Sequence, residues 1–246
     1  MKISIITATY NSCNTLPQAI QSAIAQHYNT LEHIIIDGGS TDCTPEIVKQ
    51  YSQHISKFIS EPDNGIYDAI NKGIKLSTGQ VVGLLHSDDV FAYDNVLNDI
   101  ATLFAQGADV VYSDLVYIDK NGRTIRYWKA GKFTKQKLKN GWMPPHPTVF
   151  VRKEIFNRTG YYNTEFKIAA DYDFLLRLLS LQDIKIAYLP KVTVKMKIGG
   201  ASNKSLGNIL LKMREDYRAI RNNNIGGLPV LLKKNLRKLN QFFANN

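Results

Sequence analysis

The sequence predicts an α/β fold, with a mainly parallel sheet, helices on both faces and a C-terminal helical tail. In the first two thirds of the chain, β-branched apolar runs alternate with segments whose apolar residues recur at helical spacing. Strands that alternate with helices of about 10–15 residues are typical of a parallel sheet that is covered on both faces. The composition changes near Ser202, where a basic stretch begins. We therefore assign residues 1–203 to one domain and residues 204–246 to a basic amphipathic helical tail.

Local patterns predict the individual elements. Pro45 suits the first turn of a helix, because its missing N–H would have no partner there. The pair Asn121 and Gly122, between two strand-like runs, predicts a hairpin. In chain order we predict strand KISIITATY, helix NTLPQAIQSAIAQ, strand LEHIIIDGGS, helix CTPEIVKQYSQ, strand KFISE, helix IYDAINKGIKLS, strand QVVGLLHS, helix DNVLNDIATLFAQ and the strand pair ADVVYSDLVYIDKNGRTIRYW.

The bulk composition limits the class of protein. The chain has 246 residues, of which 44% are apolar, and this is enough for one sizeable core. No apolar run approaches the roughly 18 residues of a membrane-spanning helix, and the N-terminus becomes polar too early for a signal peptide. Because Cys13 and Cys43 are the only cysteines, we expect two reduced thiols in a cytoplasmic protein.

The positive charge is concentrated at the C-terminus. The net charge is +10, and residues 204–246 carry nine Lys and Arg against two acids. The stretch GGLPVLLKKNLRKLNQFF interleaves apolar and basic residues, as does a helix that lies on an anionic bilayer. We therefore expect the tail to bind a membrane surface. A helix that packs back on the domain is the alternative.

Three polar segments follow predicted strands: TATYN, DGGSTD and HSDD. Ligands of parallel α/β sheets bind beyond the carboxyl ends of the strands, so these segments should share one rim. The sequence lacks a P-loop, a GxGxxG after the first strand and a zinc-ligand cluster. Asp88 and Asp89 offer the oxygen ligands that Mg²⁺ or Mn²⁺ prefers, and such an ion would offset their repulsion and hold a diphosphate. An Asp–Asp pair alone also occurs in ordinary turns.

Five segments give this pair a context. SIITATYN, IDGGSTDCT, EPDNGIYDAINKGI, STGQVVGLLHSDD and AADYDFLLRL follow one another over roughly residues 1–200. Together they resemble the family 2 glycosyltransferases, in particular the bacterial enzymes of surface-polysaccharide, O-antigen and lipopolysaccharide assembly. The resemblance implies a GT-A (Rossmann-like) fold. It also implies a metal-dependent, inverting transfer of a hexose from a nucleotide-diphosphate sugar, most often a UDP-sugar.

The resemblance further implies a donor site. Asp37 would accept hydrogen bonds from the uracil ring and ribose, although Gly38 stands where relatives commonly have a second acid. Asp89 would contact Mn²⁺ or Mg²⁺ directly, and Asp88 would contact ribose or metal-bound water. His86 replaces an Asn or Asp of many relatives, so its role is open. The expected nucleotide-sugar-binding residues are Thr7, Ala8, Thr9, Tyr10, Asp37, Lys72, His86, Ser87 and Asp88, with Tyr10 available to stack on the base and Lys72 to hold phosphate oxygens.

Asp171 opens an amphipathic helix and matches the family's general base, which takes the proton of the acceptor hydroxyl. Trp142 and His146 would lie on the acceptor side, with Trp142 as a sugar platform or as a packed core residue. Lys195 and Lys197 precede two glycines in a segment that could close over the diphosphate or form a plain loop.

These expectations describe an enzyme on the inner face of the cell membrane that extends a saccharide on a polyprenyl-diphosphate lipid. Two alternatives stay open. A sugar nucleotidyltransferase would need a glycine- and arginine-rich loop after the first strand, where this chain has TATYNSCN. A non-catalytic binder of nucleotide sugars or nucleic acid is disfavoured because three acids on the rim would repel phosphates in the absence of a metal. We expect no nucleic-acid partner.

Overall fold

The computed structural model describes residues 1–197 and 206–240, and within these ranges the chain forms nine strands and nine helices. The strands are β1 (Ile3–Thr9), β2 (Leu31–Asp37), β3 (Lys57–Ser60), β4 (Val81–Leu84), β5 (Asp89–Phe91), β6 (Val110–Ile118), β7 (Thr124–Trp128), β8 (Phe150–Arg152) and β9 (Ile186–Lys197). The helices are α1 (Leu16–Ile24), α2 (Thr44–Gln50), α3 (Ile66–Leu76), α4 (Val96–Ala105), α5 (Lys135–Lys139), α6 (Phe156–Thr159), α7 (Ala170–Ser180), α8 (Leu206–Asn222) and α9 (Leu228–Asn240).

One half of the sheet is parallel, as predicted. Strands β3, β2, β1 and β4 lie side by side and all run in the same direction. Every residue of β1 is buried. Its residues alternate between two faces, since Ile5 packs with α1 and α4 while Ile6 packs with α3 and α7. Helices on both faces explain why the strand is apolar throughout.

The other half of the sheet is mixed. Strand β8 runs antiparallel to both β4 and β6, β9 runs parallel to β6, and β5 is antiparallel to β9. The predicted hairpin forms between β6 and β7. The α/β fold is therefore confirmed, but the sheet is parallel throughout only from β3 to β4, where crossover helices join consecutive strands. Antiparallel neighbours need no such crossover, so short strands can join the sheet there.

The C-terminal helices pack on the body of the protein. Ala219 and Ile220 of α8 and Val230 and Leu231 of α9 belong to the same buried cluster as the apolar residues of α7. The predicted boundary between residues 203 and 204 lies outside the described residues, but the helices after it share this core. Among the described helices, none combines the length and the apolar composition needed to cross a membrane.

The two cysteines correct the expectation of free thiols. Cys13 lies in the loop after β1, and Cys43 lies in the loop after β2. Their Cα atoms are 5.3 Å apart and their side chains form a disulfide. The spacing of 30 residues gave no sign of this pairing, which depends on the parallel register of β1 and β2.

Candidate active site

The loops after β1, β2 and β4 meet at one edge of the sheet, as the sequence predicts. The Asn11 N–H donates to Ser40 Oγ at 2.8 Å, and the Thr41 N–H donates back to Asn11 Oδ1 at 3.0 Å. The hydroxyls of Ser12 and Ser87 lie 3.0 Å apart and join the loops after β1 and β4. These bonds hold the three polar segments on a common rim.

Asp37 ends β2 and is fully buried. One of its carboxylate oxygens accepts from the Ser40 N–H at 3.0 Å and from Ser60 Oγ at 2.6 Å, and the other accepts from Ser40 Oγ. These donors fix the orientation of the carboxylate. The sequence reading did not include Ser60 in this site.

Gly38, which stands where relatives commonly have a second acid, lies against the side chain of Asp63. A Cβ atom at this position would lie 2.6 Å from Oδ2 of Asp63, closer than such atoms approach. The carboxylate of Asp63, which also accepts from the Gly65 N–H at 2.8 Å, therefore occupies the space that a side chain at position 38 would need. Sequence reasoning missed Asp63 because it is remote along the chain.

The Asp88–Asp89 pair, the expected metal site, has one buried and one partly exposed acid. Asp89 is 0% exposed, and neither of its carboxylate oxygens has a hydrogen-bond partner. Burial raises the pKa of Asp89 well above its ordinary value, and the neighbouring carboxylate of Asp88 raises it further. A buried carboxylate without partners is costly, and a divalent cation would remove this cost. The pair therefore fits Mg²⁺ or Mn²⁺.

The protein supplies only part of such a coordination shell. In residues 1–197 and 206–240, no group of three or more His, Cys, Asp or Glu is arranged to enclose a metal ion. Mg²⁺ sites commonly combine one or two carboxylates with phosphate oxygens and water. Asp88 and Asp89 match that pattern and do not match an all-protein cage.

Two histidines lie beside the acids. The rings of His86 and His146 are 6.2 Å apart, and His146 Nε2 shares a hydrogen bond of 2.7 Å with the hydroxyl of Tyr162. Burial lowers the pKa of His146 to about 4. Burial also lowers the pKa of His86, although the charges of Asp88 and Asp171 oppose this effect. The negative charge of Asp171 acts on the pKa of both histidine rings. The two histidines therefore connect the Asp88–Asp89 pair with the predicted base.

Asp171 is the second residue of α7 and is partly exposed. Its Oδ1 atom accepts from the Tyr172 N–H at 2.7 Å. Burial by itself raises the pKa of Asp171, but Lys212, His146 and Lys234 outweigh this effect and lower the pKa below its ordinary value. The carboxylate is therefore charged at neutral pH, as a general base must be. Both lysines belong to the predicted tail, residues 204–246, and no pattern in the sequence links this tail with the base.

Two donor-side residues, Lys72 and Thr7, lie in surroundings that the sequence did not predict. Lys72 pairs with Glu61 at 2.9 Å and with Asp68 at 3.6 Å, so acids already surround the cation expected to hold phosphate. Thr7 is buried, and its hydroxyl lies 3.0 Å from Nε2 of His33, away from solvent. Tyr10 is 62% exposed, in keeping with the predicted stacking on a base.

Thr9 and Ala8 are nearly buried at the end of β1, and the Thr9 hydroxyl has no hydrogen-bond partner. For Trp142 the sequence left two roles open, a sugar platform and a packed core residue. The side chain is 6% exposed, packs edge-on against Tyr112 and donates its indole N–H to the Ala130 carbonyl at 2.9 Å. Phe133 packs against the ring and the Lys137 ammonium lies 5.5 Å from its centre, so the packed role fits Trp142 and an exposed sugar platform does not. Lys195 and Lys197 lie in β9, and the glycines after them lie outside the described residues.

Curated proteins of similar sequence are glycosyltransferases. The PGL/p-HBAD biosynthesis glycosyltransferase of Mycobacterium bovis is 30% identical over 213 residues, which cover 85% of this chain and 82% of that protein. A glycosyltransferase of Rickettsia typhi, described as uncharacterized, is 28% identical over 227 residues, which cover 89% of this chain and 70% of that protein.

Solved structures share the fold. Staphylococcus aureus TarS 1–349 in complex with UDP-GlcNAc aligns with a TM-score of 0.69 at 21% identity, over 99% of this chain and 73% of that one. The mannosyltransferase PcManGT from Pyrobaculum calidifontis, in complex with GDP-Man and Mn²⁺, aligns with a TM-score of 0.66 at 15% identity, over 95% and 68%. This chain spans 44% of the longer TarS chain. The likeness confirms the predicted GT-A fold.

The fold and the sequence likeness define the protein as a glycosyltransferase. The family described as glycosyl transferase family 2 matches residues 4–164, more than half of the chain, and the protein belongs to this family. The predicted family is thus confirmed, and the sugar-nucleotidyltransferase alternative is set aside. The assignment to surface-polysaccharide or O-antigen assembly stays a prediction.

Proposed function

We propose that the protein transfers a hexose from a nucleotide-diphosphate sugar, most directly a UDP-sugar, to a hydroxyl of a lipid-linked saccharide, with inversion at the anomeric carbon. The product would serve the assembly of a surface polysaccharide. The observation that carries the proposal is the presence, in one family 2 fold, of an unpartnered buried Asp89 next to Asp88 and of a charged Asp171. The charges of Asp88 and Asp171 both act on His86, which connects the two acidic groups.

The donor side supports a nucleotide sugar. TarS has been solved with UDP and with UDP-GlcNAc, and PcManGT with GDP-Man. In this chain, the exposed ring of Tyr10 offers a stacking surface for a nucleoside. Asp37 is buried and already accepts from Ser40 and Ser60, so it would have to exchange one of these donors to bind the nucleoside. Thr7 would contribute through its backbone, because its hydroxyl is already engaged.

Asp88 and Asp89 would hold the divalent ion. When bound, Mn²⁺ or Mg²⁺ neutralises the negative charge that develops on the leaving diphosphate. Before binding, the buried carboxylate of Asp89 favours a proton, since its pKa is well above the ordinary value. Metal binding should therefore release a proton and become stronger as the pH rises.

Asp171 would supply the base. Its charged carboxylate takes the proton from the acceptor hydroxyl while the hydroxyl oxygen forms a bond to the anomeric carbon. The bond from that carbon to the diphosphate oxygen breaks at the same time, and its electron pair leaves with the nucleoside diphosphate. Attack from the face opposite the leaving group inverts the configuration. A positioned base of this kind contributes about 10²–10⁴-fold to the rate.

A membrane contact would bring the lipid-linked acceptor to the site. Leu228, Leu232 and Leu236 recur every four residues along α9 and are 60%, 59% and 61% exposed. Lys233 and Arg237 beside them are exposed too. The opposite face of α9 packs on the body, as in the second of the two arrangements that the sequence left open, and the leucine stripe faces away from that contact. We propose that the leucine stripe lies on the anionic inner face of the cell membrane.

The enzymatic proposal is tested with a panel of UDP-, GDP- and dTDP-sugars, Mn²⁺ and a polyprenyl-diphosphate-linked saccharide, with released nucleoside diphosphate as the signal. We expect turnover of at least one donor, abolished by EDTA and restored by Mn²⁺. Asp89→Asn should lose this metal response, whereas Asp119→Asn, in the exposed hairpin turn, should retain it. Absence of turnover with every donor would refute the transferase proposal.

The membrane proposal is tested separately by sedimentation with vesicles. The wild-type chain should sediment with phosphatidylglycerol-containing vesicles and remain in solution with phosphatidylcholine alone. Replacing Leu228, Leu232 and Leu236 by serine should abolish sedimentation, and Ile125→Ser, at another exposed apolar residue, should not. Equal sedimentation of the triple variant would show that the stripe does not bind lipid.

A further inference from the structure

Helix α7, which presents Asp171, has no N-terminal cap of its own. Its N-cap residue is Ala169, whose side chain makes no capping hydrogen bond, and the preceding residues Lys167 and Ile168 have no side-chain acceptor to offer. The N–H groups at a helix start need external partners. An alanine is among the poorest residues at this position, so the turn that orients Asp171 depends on another element.

Glu215 of α8 supplies acceptors for the turn that leads into α7. One of its carboxylate oxygens accepts from the Lys167 N–H at 2.9 Å, and the other accepts from the Ile168 N–H at 2.8 Å and from the Ala169 N–H at 2.9 Å. Glu215 is 7% exposed, and a negative charge at a helix N-terminus is favourable. Tyr67 of α3 holds the same turn from its other side, because its hydroxyl donates to the Ile168 carbonyl at 2.7 Å.

Contacts from residues that follow Glu215 also fix the C-terminal helices against α7. Asn223 donates to Asp173 Oδ1 at 2.9 Å. Asp216 pairs with Lys234 of α9 at 2.5 Å, and the Lys234 ammonium lies 3.8 Å from the centre of the Tyr172 ring. The residues directly after Asp171 are therefore held by the same two helices, and Glu215 acts from a rigid support.

We propose that Glu215 is a positioning residue for Asp171: by capping the turn 167–169, it sets the direction in which the base meets the acceptor hydroxyl. The inference rests on the proposed function. It makes the C-terminal helices part of the catalytic apparatus, although the family match ends at residue 164. Glu215 contacts backbone N–H groups of the turn 167–169, whereas the loops expected to bind the donor follow β1, β2 and β4. Donor binding should therefore be independent of Glu215.

The test compares Glu215→Gln with Glu165→Gln in the full chain. Glu165 also connects this region with α8, through an exposed ion pair with Arg218, but it caps no N–H group of the turn. With the active donor of the panel, Glu215→Gln should lower kcat by about 10- to 100-fold, because a small misplacement of a reacting group has effects of this size. Its KM for the donor should stay within about twofold, and Glu165→Gln should match the wild type. An unchanged kcat, or a loss confined to KM, would overturn the inference.

Hydrogen exchange gives a readout that does not require activity. The amides of residues 167–169 should exchange slowly in the wild type and in Glu165→Gln, and fast in Glu215→Gln. Fast exchange in the wild type would overturn the cap itself. If Glu215→Gln folds poorly, Tyr67→Phe loosens the same turn more gently and should lower kcat several-fold with the donor KM unchanged. A wild-type protein that turns over no donor refutes the proposed function instead, before any variant is compared.

Discussion

The buried ion pair between Asp216 and Lys234 makes a strong prediction about stability. The two side chains are 1% and 3% exposed, and the ammonium lies 2.5 Å from the carboxylate. No other hydrogen-bond donor contacts this carboxylate in the described part of the chain. Lys234→Met therefore leaves a buried charge without compensation, at a cost of about 3–5 kcal/mol. That is a fifth or more of the stability of a typical domain, which is about 5–15 kcal/mol.

Urea unfolding followed by circular dichroism measures this cost. Lys234→Met should lower the midpoint strongly, whereas Lys233→Met, on the exposed face of the same helix, should change the free energy of unfolding by less than about 0.5 kcal/mol. The double variant Asp216→Leu with Lys234→Met should recover most of the loss, because no charge stays buried. A Lys234→Met variant as stable as the Lys233→Met control would show that α9 is not packed on the body.

Three further predictions concern pH and the donor site. Lys212→Met removes the largest of the charges that lower the pKa of Asp171, so the acidic limb of the pH profile of kcat/KM should move to higher pH. A limb that stays in place would exclude Asp171 as the titrating base. Burial lowers the pKa of His33 to about 4 from 6.5, so stability should be complete above pH 6.5 and decrease towards pH 4, by up to about 3 kcal/mol. Urea midpoints at neutral pH and near about pH 4.5 measure this loss, and His33→Gln should reduce it; an undiminished loss would assign it to other groups. Tyr10→Ala should raise the donor KM about tenfold or more without changing Tm, and an unchanged KM would show that the ring does not stack on the base.

The parallel half of the fold and the rim could be predicted because their signals are local. Apolar runs with β-branched residues define β1, β2 and β4, and the polar residues after them must share one edge when the strands are parallel. This reasoning brought Asp37 and Asp88 to the same rim without any knowledge of distances. Asp171 needed the resemblance to the family, because an acid in the first turn of a helix also occurs for electrostatic reasons alone.

The rest depends on contacts between residues that are remote in sequence. An amphipathic basic helix has the same pattern whether it lies on a membrane or on its own domain, so the sequence could not reveal that Lys234 is buried. Glu215 resembles a surface acid of α8 until the fold brings it to the start of α7. Trp142 offered no sign of which surface it would face. Strands β5 and β8 have three residues each, too few for a periodic signal.

The most direct test of the central claim is transfer by Asp171→Asn, measured together with donor affinity. Binding of the active nucleotide sugar in the presence of Mn²⁺ should match the wild type, because the loops expected to bind the donor follow β1, β2 and β4, whereas Asp171 lies in α7. Transfer to the lipid-linked acceptor should fall by about 10²–10⁴-fold. Normal transfer by this variant would contradict the assignment of the base and with it the proposed mechanism.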